Sequence, residues 1–171
     1  MQFDFDNAID RRGTDSMKWG RYADRDIIPM WVADMDFASP PAVLDAMHDR
    51  VTHGVFGYAD PDPSAIEAVV EMLQLQHDWT VHPEWLVWTP GLVVALNLCS
   101  RTLESAQDGV LTVVPIYPPF LAAPQYTGRH LETVALVENQ GRYEFDFEAF
   151  ESAITERTRM FMLCNPHNPT G

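Results

Sequence analysis

Met160-Phe161-Met162-Leu163-Cys164-Asn165-Pro166-His167-Asn168-Pro169-Thr170-Gly171 is the stretch on which the reading of this chain turns. Its first half is apolar, and its second half is a polar turn built on two prolines and a glycine. The apolar run, extended back to 158, reads as a strand buried on both faces, as in a parallel sheet. Proline lacks the N–H that a ladder needs, so the strand stops at Cys164. Open α/β sheets bind ligands just beyond the carboxyl ends of their strands, and the polar side chains of this turn stand there.

Working back from that stretch, the same alternation recurs. Val110 to Val114 reads as a buried strand broken by Pro115-Ile116-Tyr117-Pro118-Pro119, with a helix over 120–126 closed by Gly128. Leu131 to Leu136 is a further strand, 139–142 a turn, and Asp146 the cap of a helix reaching about Ala153. Earlier, Trp85-Leu86-Val87-Trp88 reads as a short strand. Thr89-Pro90-Gly91 turns it into an apolar helix from Leu92 to about Leu103. Ile66, Val69, Val70, Leu73 and His77 at helical spacing predict a helix over 64–78. Ser39-Pro40-Pro41 starts another that buries Val43, Leu44, Met47 and Val51 and stops at Gly54. Strands alternating with helices predict an α/β fold, a mostly parallel sheet covered by helices. Residues 1–38 have no clean period and read as an arm preceding it. The expected division is therefore 1–54, arm and first helix, and 55–171, the sheet-bearing part.

Composition narrows the class. Hydrophobic residues at 46% in a chain of 171 suit a globular protein. The net charge of −14 argues against nucleic acid or an anionic membrane surface as partner. Met1 to Asp6 is acidic where a leader would be basic and then apolar, and no run approaches membrane-spanning length, so the expected location is cytoplasmic. Cys99 and Cys164 read as buried thiols. Of the 11 basic residues, Lys18 is the only lysine.

Three predicted strands, 85–88, 110–114 and 158–164, end in irregular turns that would share one sheet edge. The turn at Gly91, Leu92 and Val93 offers free backbone N–H groups and the positive end of a helix, which suits a phosphate. Each feature alone has an ordinary explanation: a packing turn at Gly91, a surface aromatic at Tyr117, a turn asparagine at Asn168.

Asn165-Pro166-His167-Asn168-Pro169-Thr170-Gly171 resembles the signature turn of the fold-type I pyridoxal-phosphate enzymes, the aminotransferase class I/II superfamily. Trp31-Val32-Ala33-Asp34-Met35-Asp36-Phe37 and His53-Gly54-Val55-Phe56-Gly57-Tyr58 are similar to the C–S β-lyase branch, the cystathionine β-lyase group of the MalY/PatB type. The resemblance runs in order along the whole sequence. It implies pyridoxal 5'-phosphate as cofactor, with its phosphate on Gly91, Leu92 and Val93. Tyr117 would stack on the pyridine ring, and Asn168 would donate to the phenolic oxygen. Tyr58 would reach the phosphate of the neighbouring subunit in a homodimer. The implied reaction converts cystathionine or a cysteine S-conjugate, a small amino-acid substrate, to thiol, pyruvate and ammonia. A class I/II aminotransferase and a non-catalytic binding half are the alternatives.

The resemblance also implies what these residues do not supply. The family's aspartate for the pyridine nitrogen, its Schiff-base lysine and its substrate-binding arginine belong to segments outside this sequence. Lys18 lies in the arm without the lysine motif, so no catalytic residue is assigned. The expectation is an N-terminal half that is inactive alone. His77, His82, His167 and Cys164 fall on opposite sheet edges, so no metal is expected. There is no Gly-x-Ser-x-Gly elbow of a hydrolase and no Gly-x-Gly-x-x-Gly of a dinucleotide fold.

Overall fold

Strand β1 (Gly109–Val114) is buried along all of its length but the last residue. Its residues alternate between two cores, as the period of two demands. Val110 packs with Leu96, Ile116, Phe120, Ala123 and Met162, while Leu111 and Val113 pack with Val134 on the other face. In the computed structural model, which describes residues 4–171, β1 is the middle of a three-stranded sheet of order β2-β1-β5. Its neighbours β2 (His130–Ala135) and β5 (Thr158–Phe161) both run parallel to it. Parallel neighbours need crossovers. Helix α5 (Pro119–Tyr126) supplies one, and α6 (Phe147–Ala153) lies in the other.

The sheet is covered on both faces. Helix α4 (Leu92–Arg101) contributes Leu96 and α5 contributes Phe120 and Ala123 to one core. On the other face, Phe150 of α6 packs against the Leu111 core and meets Phe161 edge-on at 4.9 Å. Between β2 and α6, β3 (Val137–Asn139) and β4 (Arg142–Glu144) form an antiparallel hairpin. Its two tip residues, Gln140 and Gly141, have φ of 53° and 82°, the left-handed pair that a tight hairpin needs. Helix α3 (Pro63–His77), capped by the Asp62 carboxylate on Ser64 N–H, completes this unit, which runs from Pro61 to Gly171.

The other compact unit runs to Asp60. It holds α1 (Met17–Gly20), capped by Ser16, and α2 (Pro41–His53), which ends at Gly54.

Four expectations are corrected. Residues 85–88 are not a strand. Pro83 opens a single 3-10 turn, Pro83–Trp85, and Leu86 N–H returns to the Pro83 carbonyl at 3.1 Å. A strand exists only by pairing, and Trp85, Val87 and Trp88 are exposed with no ladder partner among the described residues. The run at 158–164 is an edge strand that ends at Phe161, and it is not buried on both faces: Met162 is buried, whereas Phe161 and Leu163 are exposed. Helix α2 buries none of Val43, Leu44, Met47 and Val51. Cys99 is exposed and Cys164 half-buried, and both are free thiols.

Candidate functional site

A cleft of about 580 Å3 lies at the carboxyl ends of β1 and β5. Leu92, Leu96 and Cys99 of α4 form one wall, and Tyr117 and Phe120 follow β1. Residues 160–166 and Asn168 form the rest. The floor is held by two bonds beyond the ladder. Met162 N–H donates to the Leu111 carbonyl at 2.9 Å, and the buried Thr112 hydroxyl donates to the Met162 carbonyl at 2.9 Å. The two strand ends are thereby fixed side by side before their turns diverge.

Leu92, Tyr117 and Asn168, named from the sequence, thus line one cleft. Gly91 and Val93 do not line it with side chains, and what they offer is backbone. The first helical bond of α4 runs from Ala95 N–H to the Gly91 carbonyl at 3.1 Å, and no side chain caps this end. The N–H groups of Gly91, Leu92 and Val93 therefore have no acceptor among the described residues. A Cβ built on Gly91 would meet no atom within 4 Å, so the space in front of the helix is open. Three unspent donors and a positive helix end make a ready anion site.

The Tyr117 ring is 39% exposed, and its carbonyl accepts from Phe120 N–H at 3.0 Å as the turn becomes α5. Its phenyl face is available to a flat ring. Asn168 is exposed, and its amide has no partner among the described residues. The turn around it is closed by Gly171 N–H donating to the His167 carbonyl at 2.7 Å. Sequence reasoning missed Cys99, Phe120 and Asn165 as walls of the same cleft. It also gave no role to His167, whose ring nitrogens lie 2.7 Å from the Pro115 carbonyl oxygen and 3.2 Å from that of Cys164.

In the other unit the Asp34-Met35-Asp36-Phe37 segment is a charge knot. Lys18 Nζ donates to Asp36 Oδ2 at 2.8 Å and to the Asp34 carbonyl at 3.0 Å. Trp19 Nε1 and Arg11 bind Asp36 Oδ1 at 2.8 and 2.9 Å. Arg11 also reaches Asp34 at 2.5 Å. Hydrogen bonds from Lys18, then Trp19 and Arg11, hold the Asp36 carboxyl at about 2, well below its ordinary value. In the same stretch Val32 has φ of 60°, a left-handed conformation that a β-branched residue adopts only under constraint. Tyr58 is fully exposed, beyond the end of α2.

The family model for aminotransferase class I and II matches residues 25–171. The chain belongs to the aminotransferase class I and II family. It is 40% identical over 172 residues to cystathionine beta-lyase PatB of Bacillus subtilis (strain 168), covering 98% of this chain and 44% of that protein. Protein MalY of Escherichia coli (strain K12) is 30% identical, with 99% and 45% covered. Among solved structures, a PLP-bound C–S lyase from Staphylococcus hominis superposes with a TM-score of 0.90 at 34% identity, over 100% of this chain and 45% of that one. The chain thus spans about 44% of the length of the curated relatives it matches.

Proposed function

We propose that this chain carries one side of a pyridoxal-phosphate site in a C–S β-lyase acting on cystathionine or a related cysteine S-conjugate. The observation that carries the reading is the convergence of Leu92, Tyr117 and Asn168 on one cleft beside three unpaired helix N–H groups. The donor set suits the cofactor. Free N–H groups take the phosphate, the Tyr117 face takes a flat pyridine, and the Asn168 amide donates to an ionised phenolic oxygen. When bound, pyridoxal phosphate supplies an electron sink for the pair left at the substrate α-carbon. This chain's residues would bind and orient it: Tyr117 and Asn168 would fix the ring plane, and the N–H groups and the Asn168 amide would stabilise the phosphate and phenolate charges by hydrogen bonding.

Support for a lyase comes from the relatives named above. Support for a cytoplasmic location comes from the two free thiols, which suit a reducing compartment. A homodimer in which Tyr58 contributes to the partner's phosphate site is part of the same reading. It is consistent with a tyrosine side chain left fully exposed.

The experiment is titration of the purified chain with pyridoxal phosphate, followed by borohydride reduction and mass mapping. We expect saturable binding weakened about tenfold by Tyr117→Ala, the order of one stacked aromatic contact. We also expect no stoichiometric label on Lys18. Binding indifferent to both Tyr117→Ala and Asn168→Ala would refute the site. Labelled Lys18 together with pyruvate release from cystathionine would refute the division of labour.

A further inference from the structure

We infer that His167 is a positioning residue that ties the Tyr117 turn to the Asn168 turn and so sets the width of the cleft between them. The inference rests on the cofactor reading above and deepens it. His167 does not line the cleft. Its neighbours Cys164, Asn165, Pro166 and Asn168 do. The His167 Nε2 reaches the carbonyl oxygen of Pro115 at 2.7 Å, a partner 52 residues away. Its Nδ1 lies 3.2 Å from the carbonyl oxygen of Cys164, at the root of its own turn.

The ladder cannot do this job. Pairing of β1 with β5 ends near Leu111, and the last ties are the Met162 N–H and the Thr112 hydroxyl. Beyond them both chains enter proline-rich turns that lack ladder donors. Among the described residues, the His167–Pro115 contact is the only hydrogen bond joining the turn at 115–119 to the turn at 164–171. A carbonyl oxygen can only accept, so the ring must donate. A neutral imidazole carries one N–H, and the shorter contact assigns it to Nε2. Only a doubly protonated ring would turn the Nδ1 contact into a second bond.

The consequence concerns the ring end of the cofactor. Tyr117 is two residues from the tied carbonyl, and Asn168 is next to His167. A flat ring held between them needs a fixed spacing, whereas a phosphate on the start of α4 does not. Releasing the tie should therefore weaken pyridoxal phosphate and spare inorganic phosphate.

Two measurements test this. In wild type, long-range 1H–15N correlation of the His167 ring should show the neutral tautomer protonated on Nε2. An unprotonated Nε2 overturns the inference. In binding titrations, His167→Ala should lose about tenfold in pyridoxal phosphate affinity, the order of one or two net hydrogen bonds, with inorganic phosphate unchanged. His167→Gln, which keeps an N–H donor, should recover most of the loss. Unaltered pyridoxal phosphate binding by His167→Ala overturns the inference, as does an equal loss of both ligands. A wild-type chain that binds no pyridoxal phosphate defeats the cofactor reading, and the ring spectrum then decides the tie alone.

Discussion

Replacing Gly109 by alanine should destabilise the chain through a residue two strand positions away. Gly109 lies on β1, between His130 of β2 and Thr158 of β5. The Glu132 side chain, on β2, crosses over its bare backbone to the far strand. There its carboxylate accepts from the hydroxyls of Thr158 at 2.5 Å and Thr155 at 2.8 Å. A Cβ on Gly109 would stand 2.5 Å from Glu132 Oε2, 2.7 Å from Cδ and 2.9 Å from Oε1. Contacts that short are not tolerated, so the carboxylate must swing out and both bonds break. Hydrogen bonds to a charged group are worth about 1.5–3 kcal/mol each, and this half-exposed pair belongs at or below the low end. Alanine returns about 0.4–1 kcal/mol by restricting the unfolded chain. The expected net loss is about 1–2 kcal/mol, read from urea denaturation followed by far-UV circular dichroism. The mechanism is tested by repeating Gly109→Ala in a Glu132→Ala background, where it should become neutral or slightly stabilising. An equal loss in both backgrounds would refute the carboxylate argument and point to the backbone itself.

Thr112→Val keeps shape but leaves the Met162 carbonyl without the hydroxyl that now donates to it at 2.9 Å; about 1–3 kcal/mol should be lost in the same denaturation assay. Phe150→Ala removes the ring that bridges Phe145 and Phe161, and about 2 kcal/mol is expected for a half-buried aromatic of this kind. The Asp36 carboxyl lies at about 2 in the folded chain against an ordinary 3.8, so its ionised form is favoured by folding. Its contribution is complete above about pH 4 and is lost as pH falls through 2. The Trp19 indole N–H resonance, which reports the 2.8 Å bond to Asp36, should shift across that window and be insensitive to it in Asp36→Asn.

Periodicity and turn signals made the helices and the central strand legible, because helical spacing and an unbroken apolar run between Gly and Pro breaks are both written in the residue order. For Val110 to Val114 the reading of a buried strand was right, since a parallel neighbour is present on each side. For Met160-Phe161-Met162-Leu163-Cys164 the same uniform apolarity misled. Only the fold shows that it lies at the sheet edge, with Met162 buried and Phe161 and Leu163 exposed. Trp85-Leu86-Val87-Trp88 failed for a related reason: β propensity describes fit to a neighbour, and here none is paired with it. The candidate site was more legible than the strands around it. Leu92, Tyr117 and Asn168 sit at breaks of pattern, where glycine and proline mark turns whatever the pairing. The Lys18–Asp36 knot was not legible, because 18 residues separate the partners and no local period links them.

Lys18 is committed to holding its own segment together. A lysine that attacks an aldehyde must present a neutral amine with a free lone pair. Lys18 Nζ instead spends its protons on the Asp36 carboxylate and the Asp34 carbonyl, in a side chain only 10% exposed. Arg11 adds a second cation to the same two aspartates, so the charges of this stretch are absorbed in holding it together. Among the described residues, Asp34 Oδ1 is the one oxygen of the two carboxylates left buried without a donor. The cleft in the other unit is arranged in the opposite sense. Its helix N–H groups, the Asn168 amide and the Tyr117 face are donors and surfaces without partners among the described residues. Polar groups committed to one another build structure, and polar groups left open at a strand's end are available to a ligand. On the proposed reading, the open groups of the cleft would hold a flat, anionic cofactor, and Lys18, committed to Asp36 and Asp34, would not react with it.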